Sequence, residues 1–268
     1  MINIFLQYLS SVGLDIYRFI TLGFLVGLAA FVDSIAGGGG LISLPAYMLV
    51  GLPPLTSTAT NKMTASCGAI MSFGKYAQAG YVKLKVAIPC VIAGFLGSSV
   101  STNIVNYIDQ DIFKIMIAVV LPIVLVFVLR KRAFDDSNAV DEIDSKTMTK
   151  CIVGSFSIGI YDGLYGPGTG TFLIILFTSV CRLKLTEANG VAKSINLATN
   201  IASVIMHLIH GNILIPLALM TGLFSMLGSY LGSGFFKHKG VKIVKPVMVL
   251  VLALFIIKII VEFIQKAG

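Results

Sequence analysis

The chain has 268 residues, of which 56% are hydrophobic and only 12% charged, about half the charged share of a soluble domain. Lipid is therefore the expected solvent, and a soluble globular fold is excluded. The formal net charge of +8 would suggest nucleic acid in a soluble protein, but these lysines and arginines fall in short loops between apolar runs, where they report orientation and leave no nucleic-acid reading.

In chain order, apolar windows between breaks predict ten helical segments, at 17–36, 40–51, 58–80, 86–105, 113–130, 151–166, 169–181, 188–210, 212–235 and 243–264. The first 16 residues hold no Lys or Arg, so the basic start of a secretory signal peptide is missing and the first hydrophobic helix is expected to be retained. Segments 40–51, 151–166 and 169–181 are short against the roughly 20 residues a crossing needs, so each half is predicted to open with a re-entrant hairpin. Positive charge gathers in alternate loops: Lys83 and Lys85; Arg130, Lys131, Arg132, Lys146 and Lys150; Arg182 and Lys184; Lys237, Lys239, Lys242 and Lys245. The positive-inside rule places those loops in the cytoplasm and both termini in the periplasm.

The stretch 131–150, carrying Asp135, Asp136, Asp141, Glu142 and Asp144, reads as a cytoplasmic linker between a first membrane repeat, 1–130, and a second, 151–268. Asp33, Gly37 and Gly39 recur as Asp162, Gly166 and Gly168, and Lys62, Gly80 and Gly97-Ser98 recur as Lys193, Gly211 and Gly228-Ser229. An odd number of segments per half inserts the second copy upside down. The predicted fold is thus an all-α polytopic bundle of two inverted repeats, with about eight to ten membrane segments broken or re-entrant at the glycine runs.

Asp33 and Asp162 each sit in an apolar helix four residues before glycines, where a carboxylate costs about 2.5 kcal/mol or more unless paired or wetted. They read as coupling or gating groups; alternatively they cap backbone freed by the glycines or pair with a buried lysine. Gly37, Gly38, Gly39, Gly166 and Gly168 are candidates for backbone contact to an anion at a broken helix, the alternative being close helix packing. Lys62 and Lys193 are inward cations suited to an anion; alternatively each snorkels to the interface or neutralises Asp33 or Asp162. Asn189, Lys193, Asn196, Asn200, Ser203 and His207 share one helix face, which in lipid must meet protein or water. Asn61, Lys62, Lys193, Asn196 and Asn200 are accordingly the candidate substrate-binding residues.

Cys67, Cys90, Cys151 and Cys181 lack metal-ligand spacing and are expected as reduced packing residues, and His207 and His210 have no companion ligands. No metal or cofactor is expected. The missing catalytic sets argue against an enzyme, and the short loops argue against a scaffold for a partner complex.

The stretches FVDSIAGGGGLISLPA at 31–46, ATNKMTA at 59–65, YDGLYGPGTGTF at 161–172 and GVAKSINLATN at 190–200 together resemble the TauE/SafE sulfite exporter family, also called the probable membrane transporter family. The likeness runs from about residue 17 to 265, and the AGGGG and ATNK wording is closest to a branch without an assigned substrate. The resemblance implies ATP-independent transport of sulfur-containing anions such as sulfite, sulfonates or sulfoacetate, mostly as export. The expected function is a proton-linked secondary transporter of a small anion in the bacterial inner membrane; an anion channel, or a carrier of an unrelated small solute, is the alternative. Expected partners are the anion and membrane lipid, with a homodimer as the protein assembly to test.

Overall fold

A computed structural model describes residues 2–109, 112, 113, 116, 139, 140 and 143–239. Apart from Phe113 and Met116, the predicted segment 113–130 lies outside the described residues, as do 243–264 and half of the linker.

Among the described residues every regular element is a helix: α1 (Ile2–Ser11), α2 (Ile16–Ala36), α3 (Gly40–Leu49), α4 (Pro54–Gln78), α5 (Leu84–Val105), α6 (Ser145–Leu164), α7 (Thr169–Ile175), α8 (Leu185–Ile209) and α9 (Ile215–Lys239). A π-helical turn, Leu176–Val180, extends α7. Asp15 starts α2 by accepting the Arg18 backbone N–H at 2.7 Å, satisfying one of the donors a helix start leaves open. Gly37, at φ 74°, ends it in a conformation that other residues rarely adopt. Pro54 opens α4, where its missing N–H costs nothing.

Two boundaries differ from the sequence reading. Helix α1 precedes the first predicted segment. Helix α6 is 20 residues long because it begins at Ser145, inside the predicted linker, so the segment read as short at 151–166 has the length of a crossing. Lys146 and Lys150 occupy its first turns, and a hydropathy window stops at such charges although the backbone does not. The other two short segments are short helices: α3 has 10 residues and α7 has 7 before its π-turn.

Helices α2, α5 and Ile215–Phe236 of α9 are long and apolar enough to cross a membrane. Ile88, Ile92, Leu96, Val100 and Ile104 on α5, and Leu219, Leu223, Leu227 and Leu231 on α9, recur every four residues and are all more than half exposed. Such stripes suit contact with lipid tails. Alongside apolar clusters, the interior also holds polar side chains that a soluble core seldom buries: α4 and α8 bury Lys62, Lys193, Asn189, Asn196, Asn200, Ser203 and His207.

Packing crosses between the halves. Helix α9, from the second half, lies on α2 and α4, while α5, from the first, lies on α6 and α8; α4 and α8 meet in the middle. Hydrogen is the only side chain that fits where Gly228 meets the Gly27 carbonyl and Gly159 meets Gly94, as expected where lipid offers helices no hydrophobic drive and close van der Waals contact must hold them. The cysteine expectation needs correction: Cys151 and Cys181 form a disulfide (Cα–Cα 6.3 Å) that joins α6 to the end of the π-turn. Cys67 and Cys90 are free. A separation of 30 residues leaves no local signal of this pairing.

Candidate functional site

Two helix breaks meet at the centre of the molecule. The first, 37–39, joins α2 to α3, and the second, 165–168, joins α6 to α7. Gly37 lies directly against the backbone of Gly170 and Thr171, so any side chain there would overlap the first turn of α7, just past the second break. A Cβ on Gly40 would stand 3.1 Å from Pro167 Cα.

Two ion pairs flank this contact, each joining a lysine from one half to an aspartate from the other. Lys62 Nζ lies 2.7 Å from Asp162 Oδ2, with side chains 5% and 2% exposed. Lys193 Nζ lies 2.9 Å from Asp33 Oδ2, with side chains 0% and 24% exposed. A buried charge demands such a partner because desolvation otherwise outweighs anything it gains.

The first break is held by a full set of side chains. A helix end leaves its last four carbonyls without intrahelical donors. In α2 these are Asp33, Ser34, Ile35 and Ala36, and each accepts from a different side chain elsewhere in the chain: Lys193 Nζ, Tyr76 OH at 2.9 Å, Asn189 Nδ2 at 2.9 Å and Thr171 Oγ1 at 3.1 Å. The Gly37 amide bonds the Asp33 carbonyl at 2.8 Å, and the Gly39 amide bonds Asp33 Oδ1 at 3.0 Å. Those two amides are engaged by Asp33 and are not open to an anion.

The second break is held differently: within it Tyr161 OH donates to the Pro167 carbonyl at 2.5 Å and Thr169 Oγ1 to the Gly166 carbonyl at 2.7 Å, but the end of α6 has fewer side-chain donors than the end of α2. Among the described residues, only Gly163 in the last turn of α6 has a side-chain partner for its carbonyl, Thr102 Oγ1 at 3.1 Å. Asp162 Oδ1 accepts from Thr169 Oγ1 at 2.7 Å. Gly166, at φ 93°, lets the chain pass so close to the pair that a Cβ would stand 2.9 Å from Lys62 Nζ.

Between the breaks lies a cavity of about 60 Å³. Asn61, Lys62, Asn196 and Asn200 line it, as do Asp33, Asp162, Gly38, Gly39, Gly166 and Gly168. Lys193 and Gly37 are not among its lining residues; the lysine is drawn off to Asp33 and the glycine is packed under Thr171. Tyr165, Thr58 and Thr169 also line it and were not singled out as site residues from the sequence. Thr169, just past Gly168 and facing back to Asp162, carried a legible helix-start signal, whereas nothing local marks Tyr165. The buried Asn61 Oδ1 and Tyr165 hydroxyl have no hydrogen-bond partner among the described residues. The cavity thus presents Lys62 as a donor, Asp162 and Asn61 Oδ1 as acceptors, and the Tyr165 hydroxyl as either.

The middle of the α8 stripe, Asn196 and Asn200, faces this cavity, and both ends of the stripe face protein. Ser203 Oγ bonds Ser98 and Thr102, each at 2.9 Å, and His207 Nδ1 bonds Asn106 Oδ1 at 3.1 Å.

A family model described as sulfite exporter TauE/SafE matches residues 21–259. The chain is 33% identical over 244 residues to a probable membrane transporter protein of Haemophilus influenzae, covering 90% of this chain and 92% of that one. It is 31% identical over 224 residues to a probable membrane transporter protein of a Sinorhizobium species (84% and 85% covered) and 29% identical over 231 residues to one of Escherichia coli K12 (86% and 85%). No solved structure matches the chain.

Proposed function

The chain belongs to the sulfite exporter TauE/SafE family of membrane transporters, and from that premise we propose that it is a proton-linked carrier that exports a small sulfur-containing anion, of sulfite or sulfonate type, through the Lys62–Asp162 pair. The observation that carries this reading is that pair itself, a nearly water-free ammonium and carboxylate that both line the central cavity. Lys62 cannot be left bare at that depth. It holds either Asp162 or an anion in its place, and Asp162 takes up a proton when the anion displaces it.

This exchange keeps the charge of the site constant. The empty carrier holds Lys62 with a carboxylate, and the loaded one holds Lys62 with a monovalent anion beside a neutral Asp162. Both forms bury a neutral pair, so both can change access. A state with Lys62 unpaired is penalised and does not turn over. Proton and anion therefore move together, and net direction follows the difference in their combined gradients. An anion made in the cytoplasm is exported when its outward gradient exceeds the inward proton gradient. A cavity of about 60 Å³ has room for a few water molecules or one compact oxyanion headgroup.

The same proposal includes two inverted repeats in the inner membrane, with the lysine-bearing loops cytoplasmic and both termini periplasmic. The exchanged packing of α5 and α9 and the crossed Lys–Asp pairs support it, because a two-fold axis between the halves would generate both.

The test is flux of sulfite and small sulfonates into proteoliposomes under an imposed pH gradient. Saturable uptake that rises when the anion side is acidified is expected, with Lys62→Ala at background. Asp162→Asn should still exchange anion for anion yet lose net flux, because its empty form leaves Lys62 unpaired. Non-saturable flux at channel rates, or net flux by Asp162→Asn, would overturn the mechanism.

A further inference from the structure

The polar stripes of α4 and α8 run antiparallel. At one end Tyr76 of α4 meets Asn189 of α8, and at the other Thr60 of α4 accepts from the Leu214 amide just past α8 at 3.2 Å. The ion-pair cavity lies between these ends. A second cavity, of about 260 Å³, lies at the Tyr76 end, lined by Lys75, Tyr76, Gln78, Tyr81 and Ser233. This is the end from which Lys83 and Lys85 extend into α5.

Tyr76 stands between the two cavities. Its ring packs against Tyr81 and Phe236, with centroids 5.9 and 5.4 Å away, and it lines the larger space. Its hydroxyl donates to the Ser34 carbonyl at 2.9 Å, one residue from Asp33, which lines the smaller space. Asn189, fully buried and one turn before Lys193, donates to the same hydroxyl at 3.0 Å and to the Ile35 carbonyl. The bond thus ties α4 and the end of α2, both from the first half, to α8 from the second.

The latch is also incomplete. Asn189 Oδ1 is buried without a partner among the described residues, an unfavourable state that water entering between the helices would relieve. His207, which matches Tyr76 in the same register in which Lys193 matches Lys62, makes a comparable closure at the opposite end. There its Nδ1 and the Asn212 amide both bond Asn106 Oδ1, while its buried Nε2 has no partner among the described residues.

We infer that the Tyr76–Asn189 latch is the gate at the lysine-bearing end of the pathway: a solute passes between the two cavities only when Tyr76 releases the Ser34 carbonyl and α4 parts from α8. The inference rests on the transport reading, but its test needs no substrate. Ala69, which lines the ion-pair cavity, is replaced by cysteine in a Cys67→Ser/Cys90→Ser background, and a membrane-impermeant thiol reagent is applied to oriented vesicles from each side in turn.

Tyr76→Phe keeps the ring and removes both bonds, and should speed labelling from the lysine-bearing side about tenfold, the equivalent of one hydrogen bond. Labelling from the opposite side should stay level or fall. Equal acceleration from both sides would mean general loosening and overturn the gate, as would unchanged labelling from the lysine-bearing side in a variant that retains its thermal midpoint. Should Tyr76→Phe fail to fold, Asn189→Ser breaks the same bond from its other partner and is read in the same way. Absent anion flux together with one-sided acceleration would sink the substrate assignment and leave the gate standing.

Discussion

The two helix breaks share a motif, an aspartate four residues before glycine, yet they are built to different tolerances. At the first, every orphan carbonyl of α2 has its own side-chain donor, and Asp33 also holds two amides and Lys193. At the second, Asp162 is shared between Thr169 and Lys62 beside a cavity whose lining includes polar atoms without partners among the described residues. Equivalent residues in two halves therefore need not play the same part. The lysine of the first pair is drawn away from the cavity into a hub, whereas both members of the second pair line it.

The sharpest break of this comparison is Lys193→Met. It removes the donor to both a carboxylate and a carbonyl, and should cost about 3–5 kcal/mol, read as a fall in thermal midpoint in detergent. The double variant Lys62→Met/Asp162→Asn replaces the other pair by uncharged groups and should cost less than about 2 kcal/mol while bringing net anion flux to background. Equal destabilisation by the two would erase the distinction.

Two smaller effects refine it. Thr171→Val leaves the Ala36 carbonyl unpaired, and about 1–3 kcal/mol of stability should be lost in denaturant titration. Gly166→Ala forces an L side chain into φ 93° and against Lys62, for about 1–3 kcal/mol together with impaired flux. Gly80→Ala, at φ 72° with open space around its Cβ site, is the control. It should cost about 1 kcal/mol and leave flux intact.

Much of this was legible from residue order. The mean apolarity called for lipid, the glycine runs marked the breaks, and Asp33, Asp162, Lys62, Asn196 and Asn200 were singled out by depth and spacing, with Asn61 added from beside Lys62 in the ATNK motif. Lys193 was not separable from Lys62, since both occupy matched places on polar faces. Its removal from the cavity depends on the end of α2 lying beside α8, a contact between residues 160 apart. Helix α6 ran longer than its apolar window because its first turns are polar, and the Cys151–Cys181 bond had no local signature.

By itself the sequence determined the solvent, the helices and the inventory of buried charge, since those follow from composition and from periodicities a few residues long. Only the tertiary structure decided which lysine answers which aspartate, which of the two lysines lines the cavity between the breaks, and how Tyr76 joins α2 and α4 to α8. Those outcomes depend on helices from opposite halves packing closely enough to place a donor within about 3 Å of its acceptor, and spacing along the chain carries no information at that scale.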